Sequence, residues 1–186
     1  MTRVRQDMKT RDVKIRTVLG LTLLELLVTL CVLAVLLAMG LPSMRAMLDR
    51  NHLKAAAQGL AEDLQWTRSE SIKRHLELRV IFDIQPDTWC YGILESQEGS
   101  CNCRLASQTT GACDLKHVTD ADHPGISLDP SFDATGFDPR RATAINGSIR
   151  VTDGSGNQLR VILSRLGRIR ICSPDARVSG YDPCGG

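Results

Sequence analysis

The chain has 186 residues, a net charge of +2 at pH 7 and 42% hydrophobic residues. This length allows one ordinary domain and an additional segment, and it excludes a long series of domains. The sequence contains no internal repeat and no low-complexity segment, which excludes a repeat architecture.

The small net charge conceals an asymmetry along the chain. Residues 83–138 carry ten acidic and two basic side chains, whereas residues 140–177 carry eight arginines and two aspartates. A basic segment after an acidic one favours a polyanionic partner for one face of the protein. The alternative is that the two segments neutralise each other within the fold.

The N-terminal region combines a basic segment with an apolar run. Residues 1–17 carry six Lys or Arg and two Asp, and from Val18 to Met44 only Glu25 and Cys31 can ionise. The run is long enough to cross a bilayer as a helix, with the basic segment in the cytoplasm and the rest of the chain on the far side. A cleaved signal peptide is disfavoured, since its apolar core has only about 7–15 residues. A plain membrane anchor would not explain Glu25, because an acid at that depth is costly.

The next part of the chain reads as a helix followed by strands. Apolar residues spaced by three and four predict that the helix continues over 45–75 and packs on a sheet, although a coiled-coil partner is the alternative. Alternation over 76–83 predicts the first strand. Residues 95–125 lack periodicity and predict a long loop pinned by disulfides. Further strands are predicted at 89–94, 126–129, 147–152, 158–164 and 168–172.

Six cysteines follow the apolar run, and their even number suggests disulfides in an oxidising compartment. Cys172 and Cys184 are predicted to pair, because the short loop between them contains two prolines and a glycine and must turn back. The spacing does not choose among the pairings of the other four. A zinc site that uses His117 is disfavoured, because the spacing is unusual and disulfides compete for the thiols. The other four cysteines are Cys90, Cys101, Cys103 and Cys113.

A short basic motif, SRLGRIRIC, occupies residues 164–172. In a strand, Arg168 and Arg170 share one face while the isoleucines point into the sheet, and Gly167 permits the preceding turn. Two guanidinium groups about 7 Å apart match successive phosphates, so the motif predicts binding to a nucleic-acid backbone. The alternative is a pair of solvated arginines on an edge strand. The supporting arginines are Arg160, Arg165 and Arg177.

No residue set in the sequence predicts catalysis. There is no nucleophile–base pair and no phosphate-binding glycine loop, and the acids between 83 and 138 are dispersed. We therefore expect neither an enzyme nor a cofactor. Trp66 and Trp89 are expected in the core, and Tyr181 is a candidate for stacking on a base.

Two segments resemble those of a known family. Residues 20–25, GLTLLE, resemble the cleavage site of type IV prepilins and type II secretion pseudopilins, and TRSESIKRH at 67–75 resembles the end of the long helix in the GspH/FimT group. The resemblance covers residues 1–80 and, beyond them, only the strand pattern. It implies an α+β type IV pilin fold, in which a long N-terminal helix with a membrane-spanning apolar half packs on an antiparallel β-sheet domain.

The resemblance also implies processing and assembly. A prepilin peptidase would cut between Gly20 and Leu21 and methylate the new amino group of Leu21, although the family usually has Phe there. Glu25 would neutralise the amino terminus of a neighbouring subunit during assembly, and Pro42 would kink or loosen the helix. The implied segments are a leader (1–20), a transmembrane and pilus-core segment (21–44), an amphipathic half-helix (45–75), and a globular β domain (76–186) with a tail (172–186).

The segment Gly167–Arg170 resembles the GRxR motif of FimT-type minor pilins, which bind DNA during natural transformation. The resemblance implies a minor pilin of the bacterial inner membrane, with a periplasmic domain, that joins other pilins in the fibre and binds double-stranded DNA. The alternative is a GspH-like pseudopilin or a structural minor pilin without DNA binding, in which the basic tail is a subunit contact.

Overall fold

The computed structural model describes residues 22–95, 99–106 and 108–185, apart from the side chains of residues 39–43. The chain divides into two compact units, residues 1–41 and 42–186. The elements are α1 (Leu23–Arg74), β1 (Leu78–Ile84), β2 (Trp89–Glu95), β3 (Lys116–Thr119), β4 (Ile126–Pro130), β5 (Ala134–Phe137), β6 (Gly147–Asp153), β7 (Gln158–Leu163) and β8 (Ile169–Cys172).

Helix α1 begins with a polar cap that belongs to the first unit. The backbone N–H of Glu25 donates to the hydroxyl of Thr22 at 3.2 Å, and the N–H of Leu26 donates to the Thr22 carbonyl at 3.1 Å. The Thr-x-x-Glu spacing is that of a capping box, and an acid in the first turn interacts favourably with the helix dipole.

The large apolar side chains that the structure describes in this first unit are exposed. Leu23 is 84% exposed, and those from Leu24 to Leu37 range from 51 to 73%. No helical segment in the described part of the chain combines the length and apolarity that a membrane crossing requires. The predicted span over 21–44 begins outside the described residues and stays a prediction.

The second unit buries the predicted helical stripe. Leu53, Ala57, Leu60 and Leu64 are at most 2% exposed, and they share one core with side chains of both sheets. The stripe therefore packs on sheet rather than on a partner helix. A turn with His75 at φ 56° ends the helix, where the next N–H donates to the Ser71 carbonyl at 3.3 Å.

The eight strands of the described residues form two antiparallel sheets. The orders are β3-β2-β1-β5 and β4-β6-β7-β8. All of the described core side chains lie between Leu53 and Val178, and all three disulfides lie within residues 42–186, so the second unit carries a complete core. The α+β class and the helix packed on antiparallel sheet are confirmed, with two sheets in the β domain.

The described part of the segment 95–125 contains more regular structure than the sequence predicts. It is pinned by Cys90–Cys103 and Cys101–Cys113, but it also contains β3, which pairs with β2, and a 3₁₀ turn at Asp120–Asp122. Strand β5 was likewise not predicted. Both strands have four residues, and β3 is polar apart from Val118, so neither shows a local strand signal.

One prediction about the aromatic residues is wrong and one is confirmed. Trp66 is 39% exposed, because it lies on α1 away from the buried stripe, whereas Trp89 is buried as expected and donates its indole N–H to the Ile126 carbonyl at 2.7 Å. Tyr181 packs against the core, and its hydroxyl accepts a hydrogen bond from Gln58 of α1 at 2.9 Å. The residue is only partly buried, so its stacking on a base stays a prediction.

Candidate functional site

The basic motif lies on a tight hairpin between β7 and β8. The N–H of Ser164 donates to the Arg168 carbonyl at 3.0 Å, and the N–H of Gly167 donates to the Ser164 carbonyl at 2.9 Å. This closes a three-residue loop whose last residue, Gly167, has φ +69°. A Cβ at Gly167 would lie 2.6 Å from the Ala142 carbonyl oxygen and 2.8 Å from Arg68 Nε. Glycine is required there both by the backbone conformation and by the close approach of two neighbours.

The register of the second sheet aligns arginines on its outer face. Leu159, Val161 and Leu163 of β7 are buried, so the residues between them face outward. Cross-strand partners share a face, and Ile162 lies opposite Arg170. Arg170 therefore faces outward and is exposed.

Arg160 and Arg168 extend this outward row. Arg160 lies opposite Cys172 on the same outer face, diagonal to Arg170. Arg168 precedes Arg170 by two residues, so it lies on the same face, and its cross-strand neighbour is Ser164. Arg168 is also exposed. We call the surface formed by Arg160, Arg168 and Arg170 the basic hairpin face.

A fourth arginine on this sheet is neutralised. Arg150 of β6 lies directly opposite Arg160, a like-charge arrangement that is unfavourable. Asp129 of β4 lies on its other side and forms an ion pair with Arg150 at 3.0 Å. Arg160 has no such partner among the described residues.

The other two predicted arginines lie at opposite ends of β8. Arg165 is exposed in the hairpin loop, and its carbonyl accepts a hydrogen bond from the Ala144 N–H at 3.1 Å. Arg177 is exposed in the tail that follows Cys172, so it does not belong to the strand row. Within the described residues, none of the five predicted arginines forms an ion pair.

The tail is fastened to the end of β8. Cys172 is joined to Cys184, the pairing that the sequence favours, and the N–H of Ser173 donates to the Asp182 carbonyl at 2.9 Å. Val178 is 1% exposed and belongs to the core. The tail therefore anchors the edge strand that carries the basic motif.

The predicted processing residues lie mostly beyond the described structure. Gly20 and Leu21 are outside the described residues. Glu25 is exposed in the first turn of α1. The helix runs through position 42 without ending, but the side chain of Pro42 is outside the described part.

No usable metal site is found among the described residues. The one group within ligating reach is Asp83 with Cys90 and Cys103, and a disulfide joins those two cysteines. They offer no thiolate to a metal. The sulfurs of the zinc alternative are likewise consumed by disulfides.

A buried acid that sequence reasoning missed connects α1 to the first sheet. Asp63 is 8% exposed and accepts a hydrogen bond from the Tyr91 hydroxyl at 2.7 Å and from Lys116 Nζ at 2.5 Å. Burial, together with the negative charge of Asp63, raises the pKa of Tyr91 far above its ordinary value, so its hydroxyl stays a donor. Asp63 lies three residues after Leu60, so the helical spacing places it on the buried apolar face of α1. This spacing is the signal that could have identified it from the sequence.

Comparisons with known proteins agree on one family. Residues 56–167 match the family described as "Type II transport protein GspH". The pilin-like protein PilA1 of Thermus thermophilus is 32% identical over 162 residues, which covers 82% of this chain and 97% of that protein.

Two solved structures resemble this chain at low sequence identity. The type IV minor pilin FimU of Pseudomonas aeruginosa has a TM-score of 0.47 at 14% identity and covers 69% of this chain and 98% of its own. The minor pseudopilin EpsH of the Vibrio cholerae type 2 secretion system has a TM-score of 0.48 at 16% identity, with 66% and 98% covered.

Proposed function

The chain belongs to the GspH family and is a minor pilin or pseudopilin, and we propose that its basic hairpin face binds DNA. Members of this family are structural subunits rather than enzymes, and they interact with other pilins in a pilus or pseudopilus. The finer assignment is a FimT-like minor type IV pilin that captures double-stranded DNA at the pilus and supports natural transformation.

The observation that carries this proposal is a row of arginines without counterions. Arg160, Arg168 and Arg170 share the outer face near one sheet edge, and none pairs with a described acid. Residues two apart on a strand are separated by about 7 Å, which suits successive phosphates of one nucleic-acid strand. Such contacts give sequence-independent, salt-sensitive binding.

The alternative of internal neutralisation receives little support. Among the described residues, the acidic segment 83–138 and the basic segment 140–177 share one ion pair, Asp129–Arg150. Asp138 instead accepts backbone N–H groups of Arg140 and Arg141, at 2.7 and 3.2 Å, and leaves their side chains exposed. Most of the positive charge in the basic segment remains available for a polyanion.

Assembly is proposed to follow the family route. A prepilin peptidase removes residues 1–20, Leu21 becomes the methylated amino terminus, and Glu25 pairs with the terminus of a neighbour. The subunit waits in the bacterial inner membrane with its β domain in the periplasm, and then enters the fibre. The exposed apolar side chains from Leu23 to Leu37 support burial against lipid or other pilin helices.

A secretion pseudopilin without DNA binding is the second candidate. It is favoured by the description of the matched family as a type II transport protein. In that case the basic hairpin face is a contact with another subunit, and DNA does not bind.

A binding assay separates the two candidates. The full-length chain, kept in a non-ionic detergent because of its exposed apolar helix, is titrated into fluorescently labelled duplex DNA of two unrelated sequences. Equal affinity for both is expected. Arg168→Ala with Arg170→Ala should weaken binding by tenfold or more, on the order of 1.5 kcal/mol for lost charge-assisted bonds.

The matched control is Arg140→Ala with Arg141→Ala, which removes the same charge from a turn outside the hairpin. It should lose clearly less affinity than the hairpin variant, because it leaves the arginine row intact. If the control loses as much affinity as the hairpin variant, only net charge matters and the proposed site is wrong. If the wild type does not bind at low salt, the pseudopilin candidate is favoured.

A further inference from the structure

A groove separates the last turns of α1 from the β7–β8 hairpin. Its volume is about 980 Å³, and we call it the helix–hairpin groove. Gln65, Arg68 and Ser69 line it on the helix side, and Leu166 and Arg168 line it on the hairpin side. None of the described residues that line it is acidic, and its two charged lining residues, Arg68 and Arg168, are both cations.

Arg68 is held in an unusual state. Its Nε is buried without a hydrogen-bond partner, and within the described part of the chain it is the sole buried side-chain nitrogen or oxygen of this kind. This edge of the guanidinium lies beside the hairpin turn, since a Cβ placed at Gly167 would lie 2.8 Å from Arg68 Nε. Arg68 forms no ion pair with a described residue, although the side chain is half-buried.

This state favours an anionic ligand. A guanidinium that is partly withdrawn from water without a counterion is unfavourable, and an anion offsets that cost. The planar donors of a guanidinium fit phosphate oxygens well. The side-chain amide of Gln65 adds a neutral hydrogen-bond donor to the same wall.

Arg168 connects the groove to the basic hairpin face. It belongs to the strand row and also lines the groove opposite Arg68. We propose that the helix–hairpin groove binds one phosphate of the DNA backbone, with Arg68 as a phosphate-contacting residue beyond the GRxR motif. This inference rests on the proposed function and extends the DNA interface from the sheet edge onto α1.

The test measures the salt dependence of DNA binding by the full-length chain. Each lost phosphate contact lowers the slope of log K against log salt by about 0.9. Arg68→Gln should therefore lower the slope by about one unit. Arg68→Lys keeps the charge and should restore most of the slope. Lys73→Gln removes one charge from an exposed position on the same helix, outside the groove, and should change the slope much less.

A second variant avoids the contact with Gly167. Ser69 is exposed, and its hydroxyl donates to carbonyls of its own helix. Ser69→Glu should therefore leave the fold intact while placing a negative charge in the groove. Its affinity for DNA should fall at least tenfold. Partial replacement of chloride by inorganic phosphate at constant ionic strength should compete weakly, because a free phosphate makes one contact and DNA makes several.

The experiments distinguish a failure of the groove inference from a failure of the proposed function. If Arg168→Ala with Arg170→Ala lowers the slope while Arg68→Gln and Ser69→Glu leave it and the affinity unchanged, the proposed function stands and the groove inference is wrong. If inorganic phosphate displaces DNA at low concentration, the groove takes free phosphate and the inference is overturned. If the wild type binds no DNA, both proposals fail.

Discussion

Replacing Gly167 with alanine tests whether this glycine shapes the basic motif. The residue has φ +69°, and its Cβ position lies 2.6 Å from the Ala142 carbonyl oxygen and 2.8 Å from Arg68 Nε. The first neighbour is a backbone atom that cannot rotate away. Gly167→Ala should therefore destabilise the fold and move the hairpin.

The expected loss of folding stability has two contributions. An L-residue in the left-handed region costs about 1–2 kcal/mol. Forcing an extra carbon into an occupied space costs about 1–3 kcal/mol. The sum is about 2–5 kcal/mol. Gly156 provides a matched control, since its φ is +79° but nothing lies within 4 Å of its Cβ position. Gly156→Ala should cost only the first term.

The assay is urea unfolding of residues 42–186 with the disulfides intact, followed by tryptophan fluorescence. This fragment contains every described core side chain and all three disulfides. The reasoning predicts that Gly167→Ala is less stable than Gly156→Ala by about 1–3 kcal/mol. Equal free energies of unfolding for the two variants would refute the role assigned to the close contacts.

Two further substitutions address groups that link the elements. Asp63→Ala removes the acceptor of the Tyr91 hydroxyl and should destabilise residues 42–186 by about 1–3 kcal/mol in urea. Adding Tyr91→Phe to the Asp63→Ala variant should destabilise it little further, because the hydrogen bond is already lost. Additive losses from the two substitutions would contradict a shared hydrogen bond. Backbone N–H groups lower the pKa of Asp138 below its ordinary value, so its contribution to stability is present at neutral pH and lost as pH falls through the folded pKa. Asp138→Asn should therefore flatten the acid side of the stability profile, and an unchanged profile would show that this carboxylate is not stabilising.

The parts of the fold that could be predicted are those with a local signal. The three-to-four spacing around Leu53–Leu64 identified the buried side of α1, and alternation identified β1, with Leu78, Val80 and Phe82 buried. Both patterns reflect which side of a regular element faces the core, and this is encoded within a few residues. The Thr-x-x-Glu spacing at the start of α1 is a local signal of the same kind, for a helix N-terminus.

The missed features depend on residues far apart in sequence. Strands β3 and β5 form because β2 and β1 supply their partners, and their own short sequences do not specify pairing. The sequence predicted that Arg168 and Arg170 share a face, but only the register brings Arg160 beside them and Asp129 onto Arg150. The position of Arg68 beneath the hairpin is likewise a tertiary contact.

The measurement that tests the central claim most directly is the salt slope of DNA binding by the full-length wild type and by Arg168→Ala with Arg170→Ala. If the two arginines each contact one phosphate, the slope falls by about two units in the double variant. The same slope in both proteins, or no binding by the wild type at low salt, would contradict a DNA-binding role for the basic hairpin face.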